Sequence, residues 1–352
     1  MRDTLQTLDT EFAFQTSGRF DLLAGEHVGY STLGAPDVDG ALRRSIERGE
    51  GVTTVVGRMG SGKSSLIAAV ANSLDEGFLP LRVSVIGVEA GDPAAFARHA
   101  ITEIRDVPDA QLTRHEAQAL DRASAEHRSQ TNTRELRAGF EIAGGAVLTG
   151  KVVADIKRAA GDELARVTDP SHVLRGMQRL FDVFWKLKRC PVMLVEDTDH
   201  WGGSPEVADA FFDHTSRVFA NFDAVMVVAT QSDYTRLEGY QRVRDRLTSE
   251  VSLPQLPDVE LGLAILLERR MSSAGVDASL QDVLEHPGLQ LLSQSYLESV
   301  TNGQAGDLRR TLAIMRAALD VALSEPTAQI VSTGHVQEAI ARTPVTPSSA
   351  LS

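Results

Sequence analysis

Residues 57–64 read Gly-Arg-Met-Gly-Ser-Gly-Lys-Ser. Glycines at 57, 60 and 62 followed by Lys63 and Ser64 have the spacing of a loop whose backbone N–H groups surround a phosphate. Glycine lets the main chain approach the anion, the lysine brings a point charge, and the next hydroxyl can ligate Mg²⁺. Gly57, Gly60, Ser61, Gly62, Lys63, Ser64 and Ser65 are the candidate residues for holding ATP, with Ser64 also a candidate metal ligand. Hydrolysis of such a ligand needs a carboxylate for Mg²⁺ and a group that aligns water. The apolar run at 191–195 ends in Glu196-Asp197-Thr198-Asp199 and offers both. Glu196 is assigned to the metal and Asp197 to the water. In an alternative frame Asp197 takes the metal and Asp199 the water.

These groups need a rigid scaffold. The run Val52-Thr53-Thr54-Val55-Val56 reads as a strand entering the loop, and Leu66, Ile67, Val70, Ala71 and Leu74 mark an amphipathic helix leaving it. Further strands are expected at 81–88, 191–195, 224–229 and 250–253, with helical stripes between them, such as Val173, Leu174, Met177, Leu180, Phe181, Phe184 and Leu187. Apolar strands alternating with amphipathic helices predict a parallel sheet covered on both faces, an α/β fold. Strand C-terminal ends are where such sheets bind ligands, which is where Glu196 and Asp197 fall. Thr230 ends the fourth strand and is a candidate contact for the γ-phosphate or the water, with Gln231 and Ser232 as neighbours. Arg242, Arg244 and Arg246 edge a helix whose other stripe is Tyr240, Val243 and Leu247.

Beyond residue 258 only helices are predicted, marked by Leu261, Ile265, Leu266 and Met271, then Leu308, Leu312, Met315, Leu319 and Leu323, then Val336 and Ile340. Arg309 and Arg316 share one side of the second. The expected organisation is an N-terminal segment at 1–50 that packs on the nucleotide-binding domain, that domain at 51–257, a helical domain at 258–342, and a disordered tail at 343–352. A long insertion rich in Ala, Arg and Glu spans about 90–170, with a hairpin possible around Gly144-Gly145. Phe12, Phe14, Phe20, Leu22 and Leu23 are candidates for packing against the nucleotide domain.

The order of these parts resembles the AAA+ ATPases of the P-loop superfamily, within them the initiator group that includes archaeal and eukaryotic origin-recognition proteins. Residues 242–247 (Arg-Val-Arg-Asp-Arg-Leu) are similar to that group's box VII. Residues 253–261 are similar to its strand-to-lid junction, Gly306-Asp307-Leu308-Arg309-Arg310-Thr311-Leu312 to its sensor 2, and Thr333-Gly334-His335-Val336 to the start of its last lid helix. The resemblance covers about 50–342. It implies a three-layer sandwich with a five-stranded sheet in the order 5-1-4-3-2, followed by a helical lid. It makes Thr230 sensor 1, Arg309 sensor 2, and Arg246 the arginine finger, with Arg244 second. It further implies ATP and Mg²⁺ as ligands and a homo-oligomer with ATP at subunit boundaries. The implied function is a motor or switch acting on nucleic acid or a nucleoprotein partner.

Two features depart from the family pattern. The acids run Glu-Asp where the usual order is Asp-Glu, and the chain ends at Ser352 with no winged-helix domain expected after the lid. The net charge of −13 argues against broad adhesion to nucleic acid, leaving a local surface or oligomerisation to supply any DNA contact. A second function therefore stands beside the first: a signalling ATPase controlling a dedicated effector protein in a bacterial conflict system. No apolar run approaches the ~20 residues needed to span a bilayer. The start lacks a signal peptide's apolar segment, and the single Cys190 excludes an intrachain disulfide. A cytoplasmic protein is expected, with Cys190 a core residue.

Overall fold

The computed structural model describes residues 2–11, 13–14, 20–106, 170–300 and 305–343. The expected hairpin at Gly144-Gly145, most of the insertion, Phe12 and the tail lie outside them.

In chain order come α1 (Arg2–Thr10), α2 (Phe20–Glu26), α3 (Val38–Ile46), β1 (Gly51–Val56), α4 (Lys63–Asn72), β2 (Phe78–Ser84) and α5 (Pro93–Asp106). After the insertion follow α6 (Pro170–Lys186), β3 (Cys190–Glu196) and α7 (Pro205–Ala210), the last prolonged by a π-helical stretch, Phe211–Ser216. Next are β4 (Val225–Thr230), α8 (Glu238–Arg244) and β5 (Ser249–Ser252). The last elements are α9 (Val259–Ser273), α10 (Leu280–Val283), α11 (His286–Ser299), α12 (Leu308–Ser324) and α13 (Thr333–Arg342).

The described strands form one parallel sheet in the order β2-β3-β4-β1-β5. This is the order 5-1-4-3-2 read from the opposite edge, in a three-layer α/β sandwich followed by a helical region. Alternation along the strands fills both faces. Val52, Val83, Val195, Met226 and Val228 face a cluster with Phe96 of α5, Phe181 and Phe184 of α6, and Phe211. Val55, Val192, Leu194, Val227 and Val251 face the other side, with Leu42 and Ile46 of α3 and Leu66, Ile67 and Val70 of α4. Thr53 and Thr54 are buried in β1, where polar groups need partners. Ser45 and the Tyr240 hydroxyl meet them at 2.6 and 3.0 Å. Cys190 opens β3 inside the core, and burial pushes its thiol up to about 12, so it is not a reactive thiolate.

The helical region has its own core, built on Leu263, Leu267 and Met271 of α9, Leu292 and Tyr296 of α11, Met315 and Leu319 of α12, and Val336 of α13. Leu261, expected on the apolar stripe of α9, is instead 57 % exposed, and the buried side runs Val259, Leu263, Leu267 and Met271. Leu5, Leu8 and Phe14 join this same cluster. The first part of the N-terminal segment thus packs on the helical region. Among the described residues of the segment, Tyr30, Ala35, Val38, Leu42 and Ile46 are the buried hydrophobics that join the sheet's core. β2 begins three residues before the predicted start and ends at Ser84, because its edge position tolerates Pro80.

Candidate active site

β1 runs into the glycine loop and α4 leaves it. Gly60 and Gly62 adopt φ of +76° and +98°, the left-handed region open to glycine at low cost. Gly62 caps α4, so the loop ends in the unpaired N–H groups and positive pole of a helix. Lys63 is 6 % exposed and folds beneath the loop. Its Nζ donates to the carbonyls of Gly57 and Arg58 at 3.0 and 2.9 Å and lies 3.6 Å from Asp199 Oδ1. Burial lowers the Lys63 pKa below its ordinary value. The Asp199 carboxylate opposes that shift, and the Arg309 guanidinium adds to it.

The acids stand at the ends of the neighbouring strands. Glu196 closes β3 opposite Ser84 of β2 and is 1 % exposed. Arg82 Nε donates to Glu196 Oε2 at 2.5 Å, while Oε1 is buried and accepts no hydrogen bond. Burial raises the Glu196 pKa; Arg82 opposes this, and the Ser64 hydroxyl acts in the same sense as Arg82. Asp197, at φ +60°, turns the chain off the sheet and accepts a 2.6 Å bond from Ser84 Oγ. Asp199 accepts from Gln231 Nε2 at 3.1 Å and faces Lys63. Among the described residues no group of three His, Cys, Asp or Glu side chains could hold a metal. Mg²⁺ needs none, since it is commonly held by one or two protein oxygens with water and phosphate completing its shell. A buried carboxylate oxygen without a donor, beside a serine hydroxyl, fits that ion.

Thr230 is fully buried, and its hydroxyl donates to the Val228 carbonyl at 3.2 Å. Its own carbonyl accepts the Gly57 N–H at 3.0 Å, so Thr230 meets the loop through the main chain. Gln231 is the side chain that reaches the Asp199–Lys63 pair. Ser232 opens a short 3₁₀ turn.

The helical region closes over the loop. Arg309 N–H donates to Gly60 O at 3.2 Å, and its side chain lines the cavity that holds Lys63, Ser64, Asp197 and Asp199. That cavity measures about 410 Å³ and continues between Val28, Tyr30, Leu256, Leu263 and Leu267. A buried Glu26–Arg270 ion pair lies in its wall. Arg316, on the same side of α12, is turned to the start of the chain, where it pairs with Asp9. Arg310 is buried and donates to Ser295.

The three arginines near α8 differ. Arg242 bonds Asp213 and Glu238, and Arg244 lies 3.9 Å from Glu250. Arg246 is exposed and has no side-chain partner among the described residues. It stands just before Thr248, whose N–H donates to Val52 O at the start of β1. The rise of β1 separates it from its own phosphate loop by roughly 15 Å.

Sequence reading did not single out Arg82, Ser84, Tyr30 or Asp307. Arg82 sits in an apolar strand and Glu196 is 114 residues away, so no local spacing links them. A charged residue alternating with apolar ones on a predicted strand was the available signal.

No protein-family model and no curated protein matches the chain. Among solved structures it is similar to the ORC1 protein of Aeropyrum pernix in complex with DNA. The TM-score is 0.48 at 18 % identity, and the match covers 87 % of this chain and 64 % of that one. The chain thus spans less than two thirds of the length of that protein. No described helix is long and apolar enough to cross a membrane.

Proposed function

We propose that this chain is an AAA+ ATPase whose nucleotide state governs self-association and, through it, action on nucleic acid or a nucleoprotein partner. The observation that carries the reading is the convergence of five groups on one cavity. Buried Lys63 and half-buried Ser64, Asp197 and Asp199 meet there with Arg309 from the helical region. Loop N–H groups bind the phosphates, and Lys63 and Arg309 neutralise their charge. Ser64 and Glu196 would hold Mg²⁺, which neutralises charge on the phosphate oxygens when bound. Asp197, held by Ser84, orients the attacking water. Thr230 through its carbonyl and Gln231 through Asp199 report the state of the site to β4. Arg246 serves the site of a neighbouring subunit, because it has no side-chain partner among the described residues and is distant from its own loop.

The resemblance of 242–247 and 306–312 to initiator ATPases puts nucleic acid first among partners. Titration with a fluorescent ATP analogue, followed by light scattering with and without duplex and single-stranded DNA at stated salt, tests this. ATP-dependent association with salt-sensitive DNA retention supports the reading. ATP-dependent association with no DNA retention at low salt moves the function to the effector-controlling alternative. No nucleotide binding overturns both.

A further inference from the structure

Arg82 and Ser84 lie two apart on the edge strand β2, so their side chains share a face. Each holds one of the two acids at the end of β3: Arg82 holds Glu196 and Ser84 holds Asp197. The Arg82–Glu196 pair is asymmetric. Arg82 is 38 % exposed and stands on the cavity wall, whereas Glu196 is 1 % exposed. The last torsion of a glutamate is broad, so an unheld carboxylate presents no fixed oxygen. The directional Nε–H bond to Oε2 removes that freedom and leaves Oε1 the one oxygen without a donor.

We infer that Arg82 is a positioning residue for the divalent cation that accompanies the nucleotide, fixing Glu196 so that Oε1 is offered to the metal. The inference rests on the reading of the cavity as an Mg–ATP site. An ionised carboxylate has about four lone-pair sites, so one oxygen can serve the guanidinium while the other serves a metal. Removing the guanidinium strips Glu196 of its counter-charge and its orientation together. Outer partners of this kind typically set metal affinity by ~10–100-fold.

The test is a titration of Mg²⁺ against a fixed concentration of fluorescent ATP analogue, repeated in EDTA, for wild type, Arg82→Met and Arg82→Lys. Glu196→Gln serves as the reference for loss of the metal ligand. Arg82→Met is expected to raise the half-saturating Mg²⁺ concentration ~10-fold or more, with affinity in EDTA unchanged. Arg82→Lys should fall between it and wild type, since an ammonium restores charge without the planar donor geometry. An unmoved midpoint in Arg82→Met overturns the inference, and so does a lower midpoint, which would mean that arginine and metal compete. If melting curves show Arg82→Met unfolded, Arg82→Lys decides alone, and a wild-type midpoint there overturns the inference. A wild type that binds no nucleotide removes the functional reading and this inference together; nucleotide binding with an unmoved midpoint removes only this one.

Discussion

The backbone N–H of Arg309 donates to the carbonyl of Gly60 at 3.2 Å, fastening the first turn of α12 to the crown of the phosphate loop. Asp307, which caps that helix through the Arg310 N–H, lies against the same glycine. A Cβ at Gly60 would stand 2.0 Å from Asp307 Oδ1. Gly60→Ala is therefore expected to destabilise the protein by about 1–3 kcal/mol, from backbone strain at φ +76° and a displaced cap. It should also weaken nucleotide binding by moving Arg309. Thermal unfolding with and without an ATP analogue reads both, and a variant matching wild type in each would show that the contact is dispensable.

Lys63→Ala is expected to abolish ATP binding and leave the fold intact. The two carbonyls that Lys63 bonds can turn to water, so the stability loss should stay near about 1–2 kcal/mol. Isothermal titration with the purified variant checks this. Wild-type affinity would remove the loop from the nucleotide site.

Asp197→Asn should bind ATP yet hydrolyse it ~10²-fold more slowly, the scale of a lost general base. Glu196→Gln should chiefly raise the Mg²⁺ requirement. Single-turnover rates over a Mg²⁺ series separate the two. If Asp199→Asn is the slow variant and Asp197→Asn is not, Asp197 belongs to the metal and Asp199 to the water.

Arg246→Ala should keep nucleotide binding and lose turnover, since an arginine supplied in trans can be worth ~10³-fold. Mixing it with Lys63→Ala, which still carries Arg246, should partly restore hydrolysis at the Arg246→Ala sites. Full activity of Arg246→Ala alone, or a strict monomer with and without ATP analogue, would contradict a finger in trans.

Asp39 ties down the strap before α3: it pairs with His27 Nε2 at 2.5 Å and accepts the Tyr30 N–H at 2.9 Å. Burial acts to raise its pKa, but the His27 and Tyr30 bonds outweigh this and hold it below the ordinary carboxylate value. A folded-state pKa below the unfolded one stabilises above the unfolded pKa and is lost as pH falls through the folded one. Asp39→Asn should thus cost about 1–2 kcal/mol at neutral pH and progressively less below pH ~4. Urea denaturation at several pH values measures the gap. A constant gap down to the lowest pH would mean that the carboxylate's charge plays no part.

The loop and the acids at the end of β3 were legible because each is encoded locally, whereas the sheet order was available only as an implication of the resemblance to initiator ATPases. Gly57 to Ser64 is a contiguous spacing, and 191–195 is an unbroken apolar run before its acids. What was not legible depends on pairing across the fold. β2 starts at Phe78, ahead of the expected 81, and tolerates Pro80 only because it is an edge strand. The Arg82–Glu196 and Ser84–Asp197 pairs exist because the β2–β3 register sets Ser84 level with Glu196. Phe14 is expected against the nucleotide domain but joins the helical core instead, and nothing nearby in sequence shows that.

The polypeptide crosses between the two cores by separate routes. Near the start, Tyr30 and Ala35 belong to the sheet's core while Leu33 belongs to the helical one; later, Leu253 and Leu256 divide in the same way. Ala305 returns to the sheet side, its N–H donating to Leu253 O at 3.2 Å. A body joined at one point can swing in any direction, but a body joined at two turns about the line between them. The helical region is joined to the sheet at both crossings, and Arg309 adds a further tie at Gly60. Arg309 thus meets the loop from a body held to the sheet at both crossings, 30–35 and 253–256.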